Sequence, residues 1–286
     1  MFSEAIKPIA ITSFALAMLL GVTACSDGNS AAETAGALLE QAQTLKVQGQ
    51  YEQALLLLDS IDHAYAAAVD VRRRAMHLRP QLLEQVTNRQ LELADSLAAV
   101  DAWRLDSLQS LLTMVSNPIE HYYVPRAEGH ADVSSAAGLH ARMAPDGRFY
   151  LIATSPRHLG TTSVTVSCGG SSATSPAVAP DGERNDHSGA TDVITFVEAE
   201  CDAIGRLVAE NPSQPVSVTF NGSRSSATMT LPEAQARGLA NIYATADLIR
   251  RRKTQELEKQ RLERTLQAVR SQIARTTPDD STATTH

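Results

Sequence analysis

Aromatic side chains make up only 4% of the 286 residues, with a single tryptophan among them. That scarcity excludes a large aromatic core and favours helices packed through aliphatic stripes. Cysteine is rarer still, with three copies and no CxxC pair, so the ligand spacing of a structural zinc site is missing. No apolar run reaches the ~20 residues a helix needs to cross a bilayer. The chain also lacks an HExxH pair, a GxSxG elbow, a phosphate-cradling glycine loop and a dinucleotide fingerprint. Its net charge of −7 argues against a general nucleic-acid binder.

What is present starts at the N-terminus. Lys7 precedes a run from Ile9 to Val22 ("IAITSFALAMLLGV") that is apolar except for Thr12 and Ser13. Too short for a membrane span and closed by small residues, it has the form of a cleaved export signal over residues 1–24. Val22-Thr23-Ala24-Cys25 resembles the lipobox of bacterial lipoproteins, in which the cysteine thiol receives a diacylglyceryl group and the cysteine becomes the mature N-terminus. The two or three acyl chains this implies hold a protein durably, at about 0.8 kcal/mol per buried methylene. The alternative is an ordinary secretory signal with Cys25 near its cut. Residues 25–36, small and polar, read as a flexible tether. Ser26, standing where an aspartate could signal inner-membrane retention, leans toward the outer membrane and leaves its periplasmic or surface face open.

The stretch 37–80 contains "ALLEQAQTLKVQGQYEQALLLLDSIDHAY", which reads as one tetratricopeptide-like helical hairpin. Leu38, Ala42 and Leu45 form one stripe, Gly49 the turn, and Tyr51, Ala54, Leu58 and Ile61 the facing stripe. A third helix from Val69 to Leu78 is available to cover it. With one repeat legible, a generic hairpin without a peptide groove is the better reading. A stalk segment, 81–116, follows as an amphipathic helix from Gln81 to Val115. Its apolar positions are Leu83, Val86, Leu93, Leu97 and Val100, then, after a one-position slip beside Trp103, Leu105, Leu108, Leu112 and Val115.

A second stalk helix is predicted over 232–275, apolar at Leu239, Ile242, Ala246 and Ile249 and again at Leu262, Leu266, Val269 and Ile273. Each helix needs cover for its stripe, and an acidic first helix against a basic second one selects an antiparallel coiled-coil pair. The basic run Arg250 to Lys253 reads as a solvated or acid-facing helix surface, with anionic lipid as the other reading.

Between the helices, 117–231 predicts a head of five to seven mainly antiparallel strands with one helix, "CDAIGRLVAEN". A Pro-Asp-Gly turn divides "AGLHARMAPDGRFYLIAT", and Asn221-Gly222 marks a second hairpin. The stretch 169–189 reads as a long loop, and the tail 276–286 as disordered. The expected class is α+β: an N-terminal helical hairpin, a long antiparallel helical stalk and a small β domain inserted between its helices.

On "GQYEQALLLLDSID", "DVRRRAM", "LADSL…VDAWRLDSL" and "VSVTFNGSRSSATMTL", the chain resembles a group of lipoproteins from Bacteroides and related gut bacteria. The resemblance spans nearly the whole mature chain. It implies lipid attachment and this order of elements, and it brings with it no catalytic residue, metal ligand or cofactor.

Little chemistry is legible. Once Cys25 is acylated, Cys168 and Cys201 remain as thiols. An oxidising envelope permits a disulfide between them, and two separate buried thiols fit as well. His121, His130, His140, His158 and His187 fall in or near the head, with Asp132 two residues from His130 and Asp186 adjoining His187. No recognised ligand spacing joins them, so they read as surface-loop histidines, and neither a catalytic residue nor a metal ligand is predicted.

The functional expectation is a lipid-anchored, non-enzymatic adaptor of the cell envelope. It would have the membrane and an envelope protein as partners, no nucleic acid, no cofactor and an open oligomeric state. A β head that captures a glycan or another small ligand is the second reading. Of Phe149, Tyr150, Phe196 and Phe220, most fall on alternating positions that suit a core better than a sugar platform. A hydrolase ranks last.

Overall fold

A computed structural model describes residues 28–129, 132–180, 183–187 and 189–276. The predicted signal peptide, Cys25, His130 and the tail beyond 276 lie outside the described residues. The chain falls into two compact units, the first ending at Leu83 and the second starting at Glu84. The class is α+β, with two antiparallel sheets between long helices.

In the first unit, α1 (Gly28–Val47) and α2 (Tyr51–Ala64) form the expected hairpin. Gly49 closes α1 in the left-handed region at φ 74°, and the Gln50 N–H donates to the Leu45 carbonyl. Only glycine adopts that conformation without strain. The buried stripe is Ala35, Leu39 and Ala42 against Ala54, Leu58 and Ile61, with Leu38 and Leu45 half-buried beside it. Residues 28–36, read as a tether, are helical, because Ala32 and Ala35 continue the stripe that packs on α2.

The third helix covers this hairpin through Val71, Ala75, Leu78 and Leu82. It does not stop at Pro80: α3 runs from Val69 to Gln109 as one helix. A proline inside a helix forfeits a hydrogen bond and costs about 3 kcal/mol. Apolar burial on both sides of Pro80, with Arg79 donating to Asp59 at 2.6 Å and Asp62 at 2.8 Å, outweighs that loss.

Among its described residues the second unit contains ten strands, more than the five to seven expected. One sheet has the order β1-β2-β3-β4-β8-β7 and the other β10-β9-β5-β6. The first stalk helix ends six residues early, and Leu112–Ser116 is strand β1, paired with β2 (His121–Pro125). Spacing made Leu112 and Val115 look helical; as strand residues they are buried. β3 (Gly138–Met143) and β4 (Phe149–Thr154) flank the Pro-Asp-Gly turn, where Gly147 sits at φ 87°.

β5 (Thr161–Cys168) is followed by β6 (Ser171–Thr174) and β7 (Asn185–Asp186), both inside the stretch read as loop. β8 (Val193–Val197) leads to α4 (Asp202–Glu210). The last hairpin joins β9 (Val216–Gly222) to β10 (Ser226–Thr230). Asn221 pairs with Ser226, so Asn221-Gly222 ends β9, and the turn is longer than the two residues expected.

α5 (Glu233–Thr276) has two halves with different tasks. Its first part is no stalk: Leu239, Ile242, Tyr243 and Ala246 enter the core formed by both sheets and α4. Tyr243 meets Phe149 edge-on, with ring centroids 5.3 Å apart. It also lies over Gly205 of α4, where a Cβ would come within 2.2 Å of the ring.

Candidate functional site

The second half of α5 pairs with α3 in the expected antiparallel sense. Glu84 accepts from Arg270 at 2.8 Å, Asp95 from Lys259 at 2.6 Å and Asp101 from Gln255 at 3.0 Å. Eleven residues up α3, from 84 to 95, match eleven down α5, from 270 to 259.

The face that α3 turns inward holds the expected Leu105 and Leu108 but differs from the one expected before them. Thr87, Leu91, Ala94, Ala98, Asp101, Leu105 and Leu108 are buried or half-buried, an unbroken alternation of four and three. The slip beside Trp103 therefore disappears. Sequence reading followed the larger side chains, Leu93, Leu97 and Val100, which lie roughly 100° further round the helix. They are exposed, Leu93 by 60%, Leu97 by 48% and Val100 by 48%. On α5 the expected positions hold: Leu262 and Val269 are buried, Leu266 and Ile273 half-buried.

α3 thus carries two apolar stripes. One meets α5 and the other is free. Leu93 and Leu97 line a groove of about 620 Å³ whose other wall is Arg251, Thr254, Glu258 and Leu262 of α5. The basic run stands at one end of this groove. Arg250 reaches Asp202 at 2.9 Å, and Arg251 reaches Asp247 at 3.0 Å. Among the described residues no ion pair engages Arg252 or Lys253, both of them exposed.

Cys168 and Cys201 do not pair; both are free and buried. The Cys168 thiol lies 3.8 Å from the Asn211 carbonyl, whereas Cys201 points at the carbonyls of Phe196 and Glu198, at 3.6 and 3.5 Å. Burial, with Asp202 and Glu200 beside it, pushes the Cys201 thiol up to about 12, and burial raises Cys168 too. Neither fits a nucleophile, whose thiolate must form near neutral pH.

The histidines are not alike. His121 is exposed and contacts the Ser116 hydroxyl at 2.6 Å. His140 is buried, its Nε2 3.0 Å from the Ala136 carbonyl and its Nδ1 3.6 Å from Glu128. His158 and His187, read as surface-loop residues, converge on one buried carboxylate, Asp192. Their Nδ1 atoms both meet Oδ1, that of His187 at 2.8 Å.

Oδ2 of Asp192 accepts from the Leu159 N–H, the Thr161 N–H and the Thr161 hydroxyl, at 2.9, 2.8 and 2.8 Å. Burial alone would raise this carboxyl. The Thr161 N–H, His187, the Thr161 hydroxyl and the Leu159 N–H hold it well below the usual carboxylate range. Asp192 gave no signal in the sequence, because its partners lie 5 and 34 residues away. Phe149, Phe196 and Phe220 are fully buried, as expected of a core. Neither a protein-family model, a curated protein nor a solved structure matches the chain, so the functional reading rests on this geometry and on the sequence.

Proposed function

We propose that the protein is a lipid-anchored adaptor of the bacterial cell envelope, tied to the membrane by acyl chains on Cys25 and without catalysis of its own. Its task is to hold an α-helix of a partner protein in the groove between α3 and α5. The observation that carries this reading is the second apolar stripe of α3, with Leu93 and Leu97 open to solvent beside a groove of about 620 Å³. Two antiparallel helices with an uncovered stripe present the seat of a third, since an apolar face of this kind gains about 25 cal/mol per Å² on being covered. The occupant is an amphipathic helix with acidic residues beside its stripe, complementary to the exposed Arg252 and Lys253.

A photoreactive amino acid at Leu97, activated in intact cells, tests this. The expected result is one discrete adduct with a different protein, absent when the same group replaces exposed His121. Self-adducts alone, or none, would mean that the stripe serves a dimer or stays bare.

A second reading has its own observation. Tyr122 and Tyr150 share an open face of the six-stranded sheet with Arg142 and Arg148, around a hollow of about 550 Å³. The Arg142 guanidinium stacks 4.3 Å from the Tyr122 ring. This is a platform for an anionic sugar, and Tyr150→Ala would abolish glycan binding if it is used.

A further inference from the structure

Asp192 is a carboxylate with no solvent exposure, and its only ion-pair partners among the described residues are two imidazoles. No arginine or lysine forms an ion pair with it among the described residues. A buried carboxylate needs hydrogen-bond donors, a counter-charge or a metal ion beside it, and two imidazole nitrogens converging on one of its oxygens supply the donor set of a metal site. We propose that His158, His187 and Asp192 bind a zinc-like divalent cation, taking Nδ1 from each histidine and Oδ1 from the aspartate. One ligand atom from each of the three lies within 4.8 Å of the others.

The carboxylate is set for this role before any ion arrives. Its Oδ2 is fixed by three donors from the segment 159–161. The backbone around it is clamped as well: the Asp192 N–H donates to the Ser155 hydroxyl at 2.8 Å, and the Ser155 N–H to the Asp192 carbonyl at 2.9 Å. These contacts are the outer-sphere support that holds a metal-binding carboxylate in one orientation. Oδ1 is left facing the two rings, whose centroids are 5.5 Å apart.

Zinc-to-ligand distances near 2.0–2.1 Å put tetrahedral ligand atoms about 3.3 Å apart. The imidazoles would therefore retreat from Oδ1 by roughly 0.5–1 Å on binding. His158, 29% exposed, lies in the link between β4 and β5, and His187 follows the short strand β7, so neither is held within a strand. Each ring would coordinate through an unprotonated Nδ1, any proton there leaving to solvent as the ion binds. Two nitrogens and one carboxylate oxygen favour a borderline ion of the zinc type over calcium or magnesium, which seek oxygen alone. A fourth position remains for water.

The place in the fold gives the ion a task. His158 precedes β5 of the four-stranded sheet, while His187 and Asp192 flank β7 and β8 of the six-stranded one. A cation here fastens the two sheets at the point where the chain passes between them.

The test uses the tag-free full chain, stripped with a chelator and titrated with Co²⁺ and then Zn²⁺. Expected are one cobalt per chain with the intense visible bands of four-coordinate geometry, displacement by zinc, and a rise in melting temperature with either metal. His158→Ala and His187→Ala should each weaken zinc binding by more than about 10-fold, the loss that even an outer-shell partner brings. His121→Ala should leave it unchanged. The proposal falls if the wild-type protein leaves cobalt with the pale spectrum of its six-coordinate aquo ion, a result that needs no variant to fold. It falls equally if both histidine variants bind zinc as the wild type does, since the ion would then sit elsewhere.

Discussion

Cys168 and Cys201 show how far a residue's surroundings decide its chemistry. Both thiols are buried, and the one at Cys201 is raised to about 12 by burial and two neighbouring acids. In the native protein neither should react with a thiol reagent at neutral pH, and both should react once the chain is unfolded. Rapid labelling of either in the native state would contradict the packing around them. His140 offers a second check. Burial pulls its pKa down, but the bonds to Glu128 and the Ala136 carbonyl, with the Glu128 charge, outweigh burial and the opposing charge of Arg142, so the net shift is upward.

A group raised on folding lends stability below its unfolded pKa of about 6.5 and loses it as pH climbs through the folded value. Denaturant melts should therefore show stability falling as pH rises above that point, and His140→Gln should remove this part of the slope. An unchanged slope would show the Glu128 contact to be idle. Single residues were the least legible part of the sequence. His158 and Asp192 meet across 34 positions, brought together where β4 pairs with β8.

Elements were easier to read, because periodicity and turn chemistry are local. The hairpin at Gly49, the Pro-Asp-Gly turn, strands β3, β4, β5 and β8 and the helix α4 all follow from signals within a dozen residues. Where two solutions fitted one pattern, tertiary packing chose. Leu105, Leu108, Leu112 and Val115 suit a helix by spacing, yet pairing with His121–Pro125 makes the last two a strand. In α3 the larger side chains Leu93, Leu97 and Val100 marked the wrong seam, while Leu105 and Leu108 marked the right one.

Adjacent positions test that register. Leu97→Glu changes an exposed residue and should shift stability by no more than about 0.5 kcal/mol. Ala98→Glu forces a long, charged side chain into the half-buried seam and should cost about 1–3 kcal/mol. Chemical denaturation of the two variants decides, and the reverse order would restore the seam read from sequence.

At the scale of the molecule, sequence reading captured the α+β class and the insertion of a β domain between two long helices. It missed that the first half of α5 belongs to the core, because an apolar stripe does not reveal whether a sheet or another helix will cover it. Removing the chain from Pro232 onward would strip Leu239, Ile242, Tyr243 and Ala246 from that core together with the helix pair.

The function proposed depends on one proposed feature of the whole protein, acylation of Cys25 and attachment to the membrane through it. The most direct measurement is the intact mass of the mature protein recovered from the membrane fraction of cells that produce it. The account predicts a chain that begins at Cys25 and carries two or three fatty acyl chains. A soluble product of unmodified mass, or one whose first residue is not Cys25, would contradict it.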